Sequence, residues 1–193
     1  MGTINTCNKT TTDLITEMPE VSRHCLRVGS LAYQFGVELG LSKKRCHELY
    51  IAGKEHDLGK LFVDKAILDA PRRLTDEEKA AINMHTSSEY LDKCTFSSAL
   101  SKTVALEHHK DSKEICLESQ IIAICDVFDA LTSPRSYDRE SGGTIVKESV
   151  KGFSYEDALD IMTTDPRQTV LNKDLLLRFE EFINPYEFIT ELY

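Results

Sequence analysis

Apolar residues along the first third of the chain fall at helical intervals. Val21, Cys25, Val28, Ala32, Phe35 and Leu39 recur at spacings of 4, 3, 4, 3 and 4, which is one face of an amphipathic helix. Pro19 suits its first position and Gly40 its stop. Ser42 can cap a second helix, carried through Leu49 and Ile51 to His56-Asp57, where Gly59 and Lys60 break away. Asp64 starts a short helix ending near Pro71. Thr75-Asp76-Glu77-Glu78 is a capping box, predicting a helix through Ile82, His85, Tyr90 and Leu91. The next helix runs from about Ser97 through Leu100, Val104 and Leu106 to His108-His109. Glu118 to Thr132 is apolar on nearly every face, the mark of a buried central helix. Ser133 to Gly152, with Pro134, Gly142 and Gly143, reads as a loop. Ser154–Thr164 and Asn172–Ile183 read as two last helices, the second stopped by Asn184-Pro185. No period-two strand and no repeat stands out. The expected fold is all-α, about seven helices in one domain over residues 16–185, with a lead-in at 1–15 and a tail at 186–193.

Composition narrows the class without choosing a function. A chain of 193 residues with 41% hydrophobic residues can bury a real core. No apolar run is long enough for a bilayer, and the polar, Thr-rich start lacks the pattern of a signal peptide. The expectation is therefore a cytoplasmic protein with no membrane partner. A formal net charge of −9 argues against a nucleic-acid polymer as partner, since such binding needs a basic face. The six cysteines contain no C-x-x-C pair and read as reduced, structural residues.

The histidines carry the chemistry. Of six, His24, His56, His85, His108 and His109 fall at positions that can face inward, whereas His47 follows Lys43, Lys44 and Arg45 on a solvated face. Asp57 adjoins His56, and Asp126 lies in the buried central helix, where a carboxylate needs a cation, hydrogen bonds or a proton. Five imidazoles and two carboxylates exceed the needs of one tetrahedral ion. They suit two octahedral ions sharing a bridging Asp. Imidazole with carboxylate points to iron or manganese, less often zinc. Lys60 adds a mobile positive charge suited to a phosphate.

The order His24, His56-Asp57 in an H-D-x-G-K setting, His85, His108-His109, then Asp126 in Ile121-Ile122-Ala123-Ile124-Cys125-Asp126-Val127-Phe128-Asp129-Ala130-Leu131-Thr132-Ser133 resembles the HD-GYP branch of the HD-domain phosphohydrolases. The resemblance spans about residues 20–185. It implies an all-helical fold, a centre of two or three ions, typically iron or manganese, and hydrolysis of cyclic di-GMP. By position, it implies one ion held by His24, His56, Asp57 and Asp126. Asp57 would bridge to a second, completed by His85, His108 and His109. Asp57 and Lys60 would be the catalytic pair, with Lys60 and Arg135 on the substrate phosphates. Glu20 stands where some members place a ligand for a third ion.

One departure bears on substrate. After the paired histidines the family carries a Glu and a Gly-rich loop with Gly-Tyr-Pro. Here His109 is followed by Lys110-Asp111-Ser112-Lys113-Glu114-Ile115-Cys116-Leu117-Glu118, and no Gly occurs between Gly59 and Gly142. The expected activity is thus metal-dependent hydrolysis of a small-molecule phosphoester, either a nucleotide or a cyclic dinucleotide. The competing reading is a metal-containing domain that binds a nucleotide or a protein partner in signalling. A third is a di-iron oxygenase on the same scaffold.

Overall fold

The computed structural model describes residues 8–70, 72, 74–141, 144–165, 168 and 170–184, with backbone alone for 135–141 and 144–150. The expected tail at 186–193, the first seven residues of the lead-in, Pro71, Gly142, Gly143 and Pro185 lie outside them. Among the described residues there are ten α-helices, three short 3₁₀ turns and one β-hairpin.

Helix α1 (Thr11–Glu17) is a correction to the loose lead-in. The Thr10 N–H donates to Asp13 at 2.7 Å, and Leu14 and Met18 pack with Cys25, Leu58 and Cys94 in a small second core. Thr-rich sequence has little helix propensity of its own, and this tertiary contact supplies what it lacks. Helix α2 (Pro19–Glu38) and helix α3 (Lys43–Glu55) follow the predicted boundaries. They cross closely because glycine faces glycine. A Cβ on Gly53 would lie 2.6 Å from the Gly29 Cα, and one on Gly29 would lie 2.6 Å from the Tyr50 carbonyl.

A 3₁₀ turn (Leu58–Phe62) leads to the short helix α4 (Lys65–Leu68). The single helix expected from Thr75 to Leu91 is broken: α5 (Asp76–Asn83), a 3₁₀ turn (Met84–Thr86), then α6 (Ser88–Leu91). The Ser87 hydroxyl starts α6 by accepting from the Tyr90 N–H at 3.4 Å, a local capping competitor to a continuous helix. The capping box of α5 forms as read, with Thr75 Oγ1 accepting from the Glu78 N–H and Glu78 accepting from the Thr75 N–H. Thr75→Ala is expected to cost about 1 kcal/mol, a fall in melting temperature of roughly 2–4 °C for a chain of this size, measurable by thermal circular dichroism.

Helix α7 (Ala99–Glu107) ends at the paired histidines. Helix α8 (Leu117–Thr132) is the buried centre, with Ile121, Ile122, Ile124 and Cys125 fully covered. The loop expected over 133–152 is instead largely a hairpin: β1 (Arg135–Ser141) runs antiparallel to β2 (Thr144–Val150), with Ser141 opposite Thr144. Charges along both strands, from Asp138 to Glu140 and at Lys147-Glu148, hide any apolar alternation. Helices α9 (Tyr155–Thr164) and α10 (Lys173–Ile183) close the main core. There Phe179 meets Phe35 and Phe128 with ring centroids 5.1 and 5.2 Å apart. No helix of the described residues is long and apolar enough to cross a membrane.

Candidate metal centre

Three of the histidines stand where helices end. His56 caps α3, His85 follows α5 in its 3₁₀ turn, and His108 caps α7. Carbonyls of a helix's last turn lie open to further donors, and each imidazole reaches one. His56 Nδ1–H donates to the Gly53 carbonyl at 2.7 Å, His85 Nδ1–H to Ile82 at 2.6 Å, and His108 Nδ1–H to Val104 at 3.2 Å. His24, within α2, donates instead to the Asp129 carboxylate of α8 at 2.7 Å. With Nδ1 held as donor, each Nε2 is turned inward as the nitrogen a metal would take in exchange for a proton.

Those four Nε2 atoms converge on Asp57 and Asp126. His24 Nε2 lies 2.9 Å from Asp126 Oδ1 and 3.8 Å from Asp57 Oδ2. His56 Nε2 lies 3.3 Å from Asp57 Oδ2 and 3.7 Å from Asp126 Oδ1. On the other side, His85 Nε2 is 3.2 Å and His108 Nε2 3.9 Å from Asp57 Oδ1. The two oxygens of Asp57 therefore face two different pairs of imidazoles. His109, the exposed member, lies 4.1 Å from His108 in a tilted contact and 5.1 Å from His85 edge-on, centroid to centroid.

The turn after Asp57 brings the halves together. Gly59 packs directly on the backbone at His85, where a Cβ would lie 1.9 Å from the His85 carbonyl oxygen. Glu55, the last residue of α3, is buried and accepts from the Ser97 N–H, holding the approach to α7.

Electrostatically the site carries two buried carboxylates among imidazoles. Burial opposes charge on Asp57, yet His56 and Lys60 hold its carboxyl well below the usual range. Burial likewise opposes charge on His56, but Asp57 lifts the imidazole well above its ordinary value. Burial, with His109 and His56 beside it, pushes His108 well below. His56 Nε2 and Asp57 Oδ1 are both buried without a hydrogen-bond partner. Orphaned buried atoms of this kind call for a ligand, and an imidazole nitrogen beside a carboxylate oxygen is a donor set suited to a cation. The residues fit a metal: all seven fall into three groupings, His24/His56/Asp57, His56/His108/Asp126 and His85/His108/His109, with potential ligand atoms within 4.8 Å of one another.

Other expected residues fare differently. Lys60 Nζ lies 2.5 Å from Asp57 Oδ2, on the carboxylate that faces both pairs of imidazoles. Glu20, suggested for a third ion, is exposed on the first turn of α2 and pairs with Arg23, outside these groupings. The Arg135 side chain lies outside the described residues. His47 is exposed and stacks on Tyr50. Sequence reading passed over Asp129, which lines the site behind His24, and Arg27, which donates to it through Nε and Nη2 at 2.7 and 2.9 Å. Their signal was spacing: each lies three residues beyond a ligand candidate, Asp126 or His24, on a neighbouring helical face.

A family model described as HD domain matches residues 21–131, which contain every His and Asp of this site. A 3′3′-cGAMP-specific phosphodiesterase of Vibrio cholerae is 35% identical over 127 residues, 60% of this chain and 30% of its own length. A cyclic di-GMP phosphodiesterase of Pseudomonas aeruginosa is 33% identical over 129 residues, 60% of this chain and 31% of its own. The chain thus spans about a third of these relatives. Among solved structures, an HDG"Y"P protein from Bdellovibrio bacteriovorus superposes with a TM-score of 0.64 at 13% identity, covering 85% of this chain and 52% of that one. The HD domain of the phosphodiesterase PgpH from L. monocytogenes gives 0.57 at 15%, covering 93% and 98%. Both speak to the fold. By the family match and the residues it spans, the chain belongs to the HD domain family.

Proposed function

We propose that this chain is a metal-dependent phosphodiesterase domain acting on a nucleotide or cyclic dinucleotide through two divalent ions, iron or manganese. The observation that carries the reading is Asp57, whose Oδ2 faces His24 and His56 while its Oδ1 faces His85 and His108. His24, His56, Asp57 and Asp126 would hold one ion; Asp57, His85, His108 and His109 would hold the other. Such ions supply a water ionised near neutral pH and neutralise charge developing on phosphoryl oxygens. The chain's own part is to fix the ligands. Four Nδ1 anchors lock the rings, and burial of His56, His85 and His108 keeps bulk water behind them. Lys60, with its side chain 21% exposed, stands at the rim and can leave Asp57 to hold a phosphate oxygen. The named activities of the relatives support a cyclic dinucleotide as substrate.

The second reading, a nucleotide-binding module, draws on the connection after His109. It is short and closed, with a 3₁₀ turn at Ser112–Glu114 capped by Asp111, and with the Ser112 N–H donating to the Val170 carbonyl. A panel of 3′3′-cGAMP, cyclic di-GMP and linear dinucleotides, each with Mn²⁺ and with EDTA, separates the two. Linear or mononucleotide product that appears with Mn²⁺, is lost in EDTA and returns on adding Mn²⁺ is the expected result. Saturable nucleotide binding with no product in any metal would sink the phosphodiesterase reading and favour the module.

A further inference from the structure

We propose that Asp129, held by Arg27, is a positioning residue that sets how tightly the His24 half of the centre binds its ion. The inference rests on the two-metal reading above. His24 is the one anchored imidazole here whose Nδ1 partner is a carboxylate carried by another helix. Asp126 and Asp129 lie one turn apart on α8, so that helix holds the ring at both ends: Asp126 faces Nε2 at 2.9 Å and Asp129 accepts from Nδ1–H at 2.7 Å. A carboxylate in that place orients the ring and raises its basicity as a ligand.

Arg27 makes the requirement stringent. Asp129 Oδ2 accepts from both His24 Nδ1–H and Arg27 Nη2, and Oδ1 accepts from Arg27 Nε. Both oxygens face donors, so an amide cannot substitute. In Asp129→Asn the NH₂ must either oppose the Arg27 Nε–H or turn towards His24. Turned towards His24, it would favour the tautomer with Nε2 protonated, which cannot coordinate a metal through Nε2. Arg27 itself is half exposed, along a groove of about 530 Å³ with Leu26 and Tyr155, so shortening it opens no buried cavity.

The test is Mn²⁺ titrated calorimetrically into metal-free wild type, Asp129→Asn, Arg27→Met and the double variant. Wild type is expected to bind two ions. Asp129→Asn is expected to weaken one of them by about 10–100-fold while leaving the other near its wild-type affinity. The double variant is expected to recover part of that loss, because Asn can then turn its oxygen to His24. A merely structural role would weaken both ions and would worsen when a second contact is removed. Should Asp129→Asn fail to fold, Arg27→Met alone is expected to weaken the same ion by about tenfold, the low end for outer-ligand changes, and unchanged binding there overturns the proposal. Two ions bound by Asp129→Asn as tightly as by wild type, or a double variant worse than Asp129→Asn, overturns it while the two-metal reading stands. A wild type that binds no Mn²⁺ overturns both.

Discussion

Asp57→Ala is expected to empty both halves of the centre at once and to abolish hydrolysis. No other side chain here presents one oxygen to His24 and His56 and the other to His85 and His108, so its loss removes a ligand from each proposed ion. Metal stabilisation of transition-state charge is worth several kcal/mol, and at about 1.4 kcal/mol per tenfold the fall is on the order of 10³ or more. The fold is expected to survive. Lys60 already has a path to solvent, and His56 can shed its proton once its neighbouring carboxylate is gone, so no charge stays buried alone. Metal per chain by elemental analysis, turnover, and far-ultraviolet circular dichroism check the three parts. Turnover retained in the variant, or two ions retained, would be fatal to the two-metal reading.

Gly59→Ala is expected to damage one half selectively. Its Cβ would fall 1.9 Å from the His85 carbonyl oxygen, 2.8 Å from its carbon and 3.0 Å from its Cα. All three are backbone atoms, so no rotamer change relieves the overlap. Overpacking of this kind costs about 1–3 kcal/mol, here placed near the upper end, for a drop of roughly 4–12 °C in melting temperature. The chain must respond by parting the Leu58–Phe62 turn from the Met84–Thr86 turn, which draws His85 away from Asp57. Manganese stoichiometry is expected to fall from two ions to one. A wild-type melting temperature with two ions bound would show that the contact between the turns is not needed.

Much of this arrangement was legible beforehand, and for identifiable reasons. Helices α2, α3 and α8 announce themselves by apolar spacing, and Asp126 stands out because a carboxylate in an all-apolar helix demands a partner. The all-helical class followed. What escaped reading was set by contacts remote in sequence or by local competitors. Helix α1 forms because Leu14 finds a second core, which Thr-rich sequence cannot reveal. The helix through His85 breaks because Ser87 caps a new one. The hairpin of β1 and β2 hides behind its own charges, and its segment read as a loop. Asp129 looked like one more residue of a buried helix until its partner on α2, 105 positions away, came into view. The placement of His56 and His108 just past helix ends had a signal too, since each closes a predicted helix, whereas His85 was expected within one.

The two halves of the centre are carried by scaffolds of unequal length. His24 and Asp126 sit within helices of 20 and 16 residues, whereas His85 sits in a turn of three residues between helices of eight and four. Short segments open by local fluctuation, while long packed helices open only near the free energy of global unfolding. Were the centre to hold the two proposed ions, exchange with solvent on the His85 side would be paced by breathing of a turn, and on the His24 side by slower opening of the long helices. Dilution into metal-free buffer would strip such a centre in order, through a one-ion state that persists.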